Sequence, residues 1–229
     1  MGTSLLCRVR VLLLVSMRRL ILLLMLILPG CAVDYTLVPP TTVTSTAELT
    51  VLDYDPTIGQ YQRDFFGQRW SDDVNVEYGH NGCDTRNDIL ARDLSNVVYK
   101  PGTRDCVVTN GDFIDPYTGM HIVFERGQNT SDLVPIDHVV ALANAWYSGA
   151  YAWDDELRRD FANDPLNLQA TTKEANQGKL AKAANEWLPS NPDYQCEYVR
   201  RQVTIKQTYN LGVTAAELET MNSVLANCP

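Results

Sequence analysis

An apolar leader followed by four widely spaced cysteines constrains this chain more than any other feature. Leu20 to Leu28 (LILLLMLIL) is a short apolar run preceded directly by Arg18 and Arg19. A basic start and a brief apolar block form the layout of a secretory signal, too short to span a bilayer. An exported chain enters an oxidising compartment, where an even set of cysteines reads as a disulfide framework. Cys83, Cys106, Cys196 and Cys228 form that set. Three pairings are open. Cys83–Cys106 with Cys196–Cys228 is favoured, because each bridge closes a local loop. Zinc is the weaker reading, since no Cys-x-x-Cys pair and no Cys-His pair at ligand spacing occurs.

The leader ends Leu28-Pro29-Gly30-Cys31, which resembles a bacterial lipobox. Such a signal is cut before the cysteine, which then carries the lipid. Cys31 is therefore the expected lipidation site, with ordinary cleavage near Ala32 as the alternative. The expected location is outside the cell: anchored by lipid to the outer face of a bacterial membrane, or secreted. Thr36–Thr50 (TLVPPTTVTSTAELT) has the composition of an extended spacer. The resulting division is a lipoprotein-type signal peptide at 1–30, a Thr/Pro-rich spacer at 31–52 and a folded body at 53–229.

Charge narrows the function. The chain carries 19 basic and 28 acidic residues, net −9. Residues 1–30 hold four arginines and no acid, so removing them leaves 15 basic against 28 acidic residues, net −13. That balance opposes a protein that coats nucleic acid by charge alone. It leaves room for an enzyme that brings a metal ion to a phosphate. An apolar share of 45% is that of a globular chain with a full core.

Periodicity gives a mixed order of elements. Thr85–Leu94 places Ile89, Leu90 and Leu94 at helical spacing behind a possible cap at Asp84 or Thr85. Val97–Val98, Cys106–Val108, Met120–Glu125 and Leu133–Val140 read as strands, with a turn at Asp115-Pro116-Tyr117-Thr118-Gly119. Ala141–Tyr147, Asp154–Phe161, Thr171–Trp187, Tyr194–Tyr209 and Ala215–Leu225 read as helices. Leu166–Gln169 leaves room only for a short strand after the break at Asn163-Asp164-Pro165. The fold class is α+β, with a small antiparallel sheet and flanking helices. Trp146, Trp153 and Trp187 read as core anchors.

Three stretches carry chemistry. Asp137-His138 ends a strand, Asn167 lies on the next short strand, and Asn176 lies in the following helix. In IDHVVAL (136–142), NDPLNL (163–168), ANQGKLAKAANEWLP (175–189) and YQCEYVRRQVTIKQTY (194–209) the sequence resembles the HNH nucleases, which have a ββα-metal (His-Me finger) core. It is similar in particular to secreted HNH nuclease-like proteins of the DUF1524 group. GCDTRNDILARDL (82–94) and DPYTG (115–119) extend the likeness. Asn167 and Asn176 are nine residues apart, a spacing also found in HNH domains of RNA-guided nucleases.

The resemblance implies roles. His138 is the general base that takes a proton from the attacking water. Asp137 and Asn176 are oxygen ligands of a divalent cation. Asn167 braces the loop that holds His138. Two oxygen ligands without a histidine suit Mg²⁺ or Mn²⁺ better than zinc. Lys179 and Lys182 are the expected phosphate contacts. The chemistry asks for such groups in any case, because a phosphodiester repels hydroxide until a cation neutralises it. A base near neutrality then activates water, and free histidine titrates at about 6.5. On that value activity falls below pH about 6. One difficulty is that neighbours on a regular strand face opposite sides, so Asp137 and His138 share a site only where the strand ends or bulges.

The expected function is a metal-dependent endonuclease acting on nucleic acid, DNA rather than RNA, as a monomer and with little sequence preference. The alternative is a non-catalytic envelope lipoprotein that keeps the nuclease shape to bind a partner.

Overall fold

The computed structural model describes residues 45–53, 55 and 57–229. The leader, Cys31 and most of the spacer lie outside these residues. Among the described residues no helix is long and apolar enough to cross a membrane.

Six helices and two small antiparallel sheets make up the described body, in a mixed α+β arrangement. Helix α1 (Thr85–Asp93) starts where the Asp84 carboxylate accepts the Asn87 amide, a capping bond that satisfies an otherwise orphaned donor. Strands β1 (Ser95–Tyr99), β2 (Val108–Ile114) and β3 (His121–Glu125) form a meander in the order β1-β2-β3. β2 is longer than the expected Cys106–Val108 because Gly111 continues it. A Cβ there would lie 2.8 Å from the Leu94 side chain, so any larger residue would make Leu94 shift where α1 hands over to β1.

The expected strand Leu133–Val140 shrinks to β4 (Ile136–His138), because Ser131–Leu133 winds into a 3-10 turn. β4 pairs antiparallel with β5 (Leu168–Ala170), with Asp137 opposite Gln169 and His138 opposite Leu168. The helices α2 (Leu142–Tyr147) and α3 (Asp155–Asn163) fill the connection. The expected long helix at Thr171–Trp187 is also cut short: α4 spans Lys173–Lys179. Thr172 caps its start, and Leu180 at φ 52° breaks its end just after Gly178. Helices α5 (Pro192–Thr208) and α6 (Ala215–Leu225) close the chain.

Two apolar clusters organise the body. Ile89, Leu90, Phe113, Phe124, Ile136 and Leu168 pack under the meander. Phe66, Tyr117, Val139, Phe161, Tyr198 and Val203 belong to the larger helical cluster. Trp146 is buried in the latter, with Trp153 and Trp187 packed against it. The chain passes from one cluster to the other between Ile136 and Val139, so His138 sits at the seam. The body also reaches back into the compositional spacer. Leu49 is buried, and the Leu52 amide donates to the Val213 carbonyl while the Val213 amide donates to the Thr50 carbonyl.

Both favoured disulfides are present: Cys83–Cys106 and Cys196–Cys228. They close loops of 23 and 32 residues, each contributing about 3–4 kcal/mol by the loop-entropy model. The second ties the chain end to the start of α5. Replacing Cys196 and Cys228 together by alanine should lower unfolding stability by about 3 kcal/mol. Urea denaturation would show this as a lower midpoint; an unchanged midpoint would mean that α6 docks without the bridge.

Candidate functional site

The four residues singled out from the sequence all lie on one local unit, the β4–β5 pair and α4. β4 carries Asp137 and His138, the turn into β5 carries Asn167, and α4 carries Asn176. Strand alternation does what the sequence warned of. Asp137 and His138 look to different neighbours.

Asp137 points inward and is buried. Its Oδ1 accepts from Lys179 Nζ at 3.1 Å and its Oδ2 accepts from the Tyr117 hydroxyl at 3.0 Å. Burial pushes this carboxyl up, and the Lys179 ammonium and Tyr117 hydroxyl pull it back. The Lys179 side chain is wholly buried, and its Nζ also donates to the His138 carbonyl at 2.7 Å. Lys179 therefore does not reach a phosphate at the surface. It is the internal counter-charge of Asp137. Lys182 is exposed and its Nζ donates to the Gly178 carbonyl at 2.9 Å.

His138 is half-buried on the other side. Its Nε2 lies 2.9 Å from the Ala162 carbonyl. A carbonyl only accepts, so Nε2 carries the hydrogen and Nδ1 keeps its lone pair. Trp70 lies parallel to the imidazole, the ring centroids 6.3 Å apart and the planes 9° apart. Packing around the ring pushes its pKa down to about 3; the Ala162 carbonyl opposes this, and the charges of Arg63, Lys179 and Arg69 add to it. The titration of a free imidazole, near about 6.5, therefore does not describe this ring.

Asn167 is fully buried and grips the chain just past His138. Its Oδ1 accepts from the Val140 amide at 2.8 Å and its Nδ2 donates to the Val140 carbonyl at 3.2 Å. Its own carbonyl accepts from the Val139 amide at 2.8 Å. Asn176 is half-buried and lies on α4 three residues before Lys179.

Asp137 and Asn176 offer a carboxylate and an amide oxygen, the hard donors that Mg²⁺ or Mn²⁺ takes. A carboxylate has acceptor capacity beyond its two present partners. The donor types fit such a cation, but the Lys179 ammonium competes for the same carboxylate. Among the described residues no group of three or more His, Cys, Asp or Glu side chains is set to hold a metal.

Several participants were not visible in the sequence. Tyr117 sat within the recognised DPYTG turn, but nothing there showed that its hydroxyl reaches Asp137. Asp115 anchors that turn: it is fully buried and accepts from the Tyr117 and Thr172 amides and the Thr118 and Thr171 hydroxyls. Arg63, Arg69 and Trp70 come from a segment far upstream of the motif blocks.

A depressed histidine pKa also makes stability depend on pH. The neutral ring is favoured in the folded state, so its contribution is full above pH about 6.5 and is lost as pH falls toward about 3. Wild type in EDTA should lose stability between pH 6 and 4 more steeply than His138→Ala, by about 1 kcal/mol per pH unit. Equal slopes in urea denaturation at stepped pH would contradict the packing described for this ring.

Comparison with known proteins places the unit. The family model described as GmrSD restriction endonucleases, C-terminal domain, matches residues 84–224, which include Asp137, His138, Asn167 and Asn176. A protein of Arthroderma benhamiae (strain ATCC MYA-4681 / CBS 112371), described as an uncharacterized secreted protein, is 39% identical over 182 residues, covering 79% of this chain and 81% of the relative. No solved structure matches the chain. The family segment spans well over half of the sequence and holds the whole β4–β5–α4 unit, so the chain belongs to the family of GmrSD restriction endonuclease C-terminal domains.

Proposed function

We propose that this protein is an exported, metal-dependent endonuclease that hydrolyses phosphodiester bonds in DNA, and that β4, β5 and α4 are its ββα-metal core of HNH type. The observation that carries this reading is the placement of His138 inside the family segment, with Nε2 fixed by the Ala162 carbonyl and Nδ1 left with its lone pair. Export is supported by the leader, the disulfides and the description of the relative as secreted. Cys31 is the proposed point of lipid attachment where the protein is retained at a membrane.

His138 Nδ1 takes the proton from the water that attacks phosphorus. Asn167 keeps the 139–140 segment, and with it the His138 backbone, from shifting when substrate presses on it. Asp137 and Asn176 are the residues that would hold the cation. When bound, Mg²⁺ or Mn²⁺ would neutralise charge on the phosphate and on the leaving oxygen. Tyr117 and Lys179 hold the Asp137 carboxylate in place through one oxygen each. A ring with so low a proton affinity is ready to accept at neutral pH but is a weak base. The negative charge of an arriving phosphate favours the protonated ring and so raises that affinity when the proton has to move, although burial remains the larger influence.

A second reading is a non-catalytic envelope lipoprotein that keeps this shape to bind a partner. The pairing of both Asp137 oxygens within the protein favours it, because a carboxylate with internal partners also serves as a purely structural group.

A plasmid-nicking assay separates the two. Wild type with Mg²⁺ or Mn²⁺ should nick DNA, EDTA should stop it, and His138→Ala should lower the rate at least a hundredfold while remaining folded, as expected for removal of a general base. Activity unaffected by either change, or no nicking by wild type with either metal, would end the nuclease reading.

A further inference from the structure

The expected phosphate contacts on α4 leave the site short of accessible positive charge. Lys179 is buried against Asp137, and Lys182 turns back to its own helix. A second source of positive charge is the segment that packs on His138. The chain from Tyr61 to Trp70 crosses the helical cluster, pinned by Phe66, which is fully buried, and by Phe65, stacked on Trp146 at 4.8 Å. It ends at Trp70, which lies over the His138 ring. Trp70 adopts φ 57°, a backbone state that costs a non-glycine residue free energy and persists only where neighbours enforce it. Here the Ser71 amide donates to Asn163 Oδ1 and the Thr85 amide to the Trp70 carbonyl.

Arg69 is the exposed neighbour of Trp70, and Arg63 opens the 3-10 turn Arg63–Phe66. Neither makes an ion pair among the described residues, whereas Arg92, Arg158 and Arg159 each pair with an aspartate. The only bond of the Arg63 guanidinium there is a long one, from Nη1 to the Gly67 carbonyl at 3.3 Å. Burial pushes the Arg63 guanidinium pKa down; the Arg69 charge adds to this, while Tyr61 and the neighbouring Asp64 oppose it. Two arginines without an ion pair among the described residues thus sit on one short arm whose end, Trp70, stacks on the imidazole. An anion supplies such a partner, and guanidinium forks match phosphate oxygens.

We propose that Arg63 and Arg69 form a clamp for the backbone phosphates of a nucleic-acid strand, which the arm ending in Trp70 carries to the His138 side of the site. The proposal rests on the nuclease reading and gives it the substrate-binding residues that α4 does not supply. The arm lies upstream of the matched family segment, so this chain assembles its phosphate contacts from outside that segment. A clamp of this kind reads the backbone and not the bases, in keeping with little sequence preference.

Equilibrium binding of fluorescein-labelled single-stranded and duplex oligonucleotides, followed by anisotropy in EDTA over a salt series, tests the clamp without cleavage. Arg63→Ala and Arg69→Ala should each weaken binding about tenfold and lower the log–log salt slope by about 1. Arg63→Lys/Arg69→Lys should keep most of the slope. Lys100→Ala/Arg104→Ala removes the same charge from the β1–β2 loop and should change binding less than twofold. Circular dichroism and melting temperature check that each variant is folded. Wild type that binds neither oligonucleotide, an Arg63→Ala/Arg69→Ala variant that binds like wild type, or equal weakening by the loop variant would each overturn the clamp. Arginine-dependent binding without nicking would leave the clamp in place and remove only the nuclease reading.

Discussion

The buried pair between Lys179 and Asp137 is the interaction on which the site depends. Both side chains are withdrawn from water, at 0% and 5% exposure. Desolvating two charges costs several kcal/mol each, and the attraction offsets this only with good geometry and further hydrogen bonds. The further bonds are present: Lys179 donates to the His138 carbonyl and Tyr117 donates to Asp137. One ammonium therefore joins α4 to two successive residues of β4. It fixes the end of α4 against the strand that carries the imidazole. Tyr117 is held in turn by the Asp115 network, which ties the β2–β3 turn to the start of α4.

The same pair divides the labour of β4. Asp137 looks into the protein toward α4, while His138 looks toward Ala162 and Trp70. Lys179 is the link between the two sides, since it bonds the carboxylate of one and the carbonyl of the other. In the proposed clamp the charge that meets a phosphate is carried instead by the Tyr61–Trp70 arm. An acidic protein can in this way hold a small basic spot beside its imidazole without a basic surface overall.

Much of this was legible in the chain. The α+β class followed from periodicity and the disulfide pairing from local spacing, and the order of the motif blocks anticipated that Asp137, His138, Asn167 and Asn176 lie on one strand pair and the helix after it. α6 spans the expected Ala215–Leu225, because a Thr214 cap and a regular apolar spacing agree. What failed did so for tertiary reasons. Thr171–Trp187 has helical composition throughout, yet the turn at Leu180 ends α4 where Lys179 is drawn inward. Lysine is read from sequence as a surface residue, and only the buried carboxylate opposite makes an interior position tolerable. The strand at Leu133–Val140 was overextended because a 3-10 turn and a short strand share the same apolar letters. Arg63, Arg69 and Trp70 were invisible because no local pattern shows which distant segment folds over a histidine.

The most direct test of this account is a double-mutant cycle on Asp137 and Lys179, with unfolding free energies from urea denaturation of wild type, Asp137→Asn, Lys179→Met and the double variant. The account predicts that each single change costs about 3 kcal/mol or more, because each leaves a buried group unpaired, and that the double variant costs less than the sum by about 2 kcal/mol. Additive costs would mean that the two side chains do not hold each other, and that the strand bearing His138 is positioned by something else.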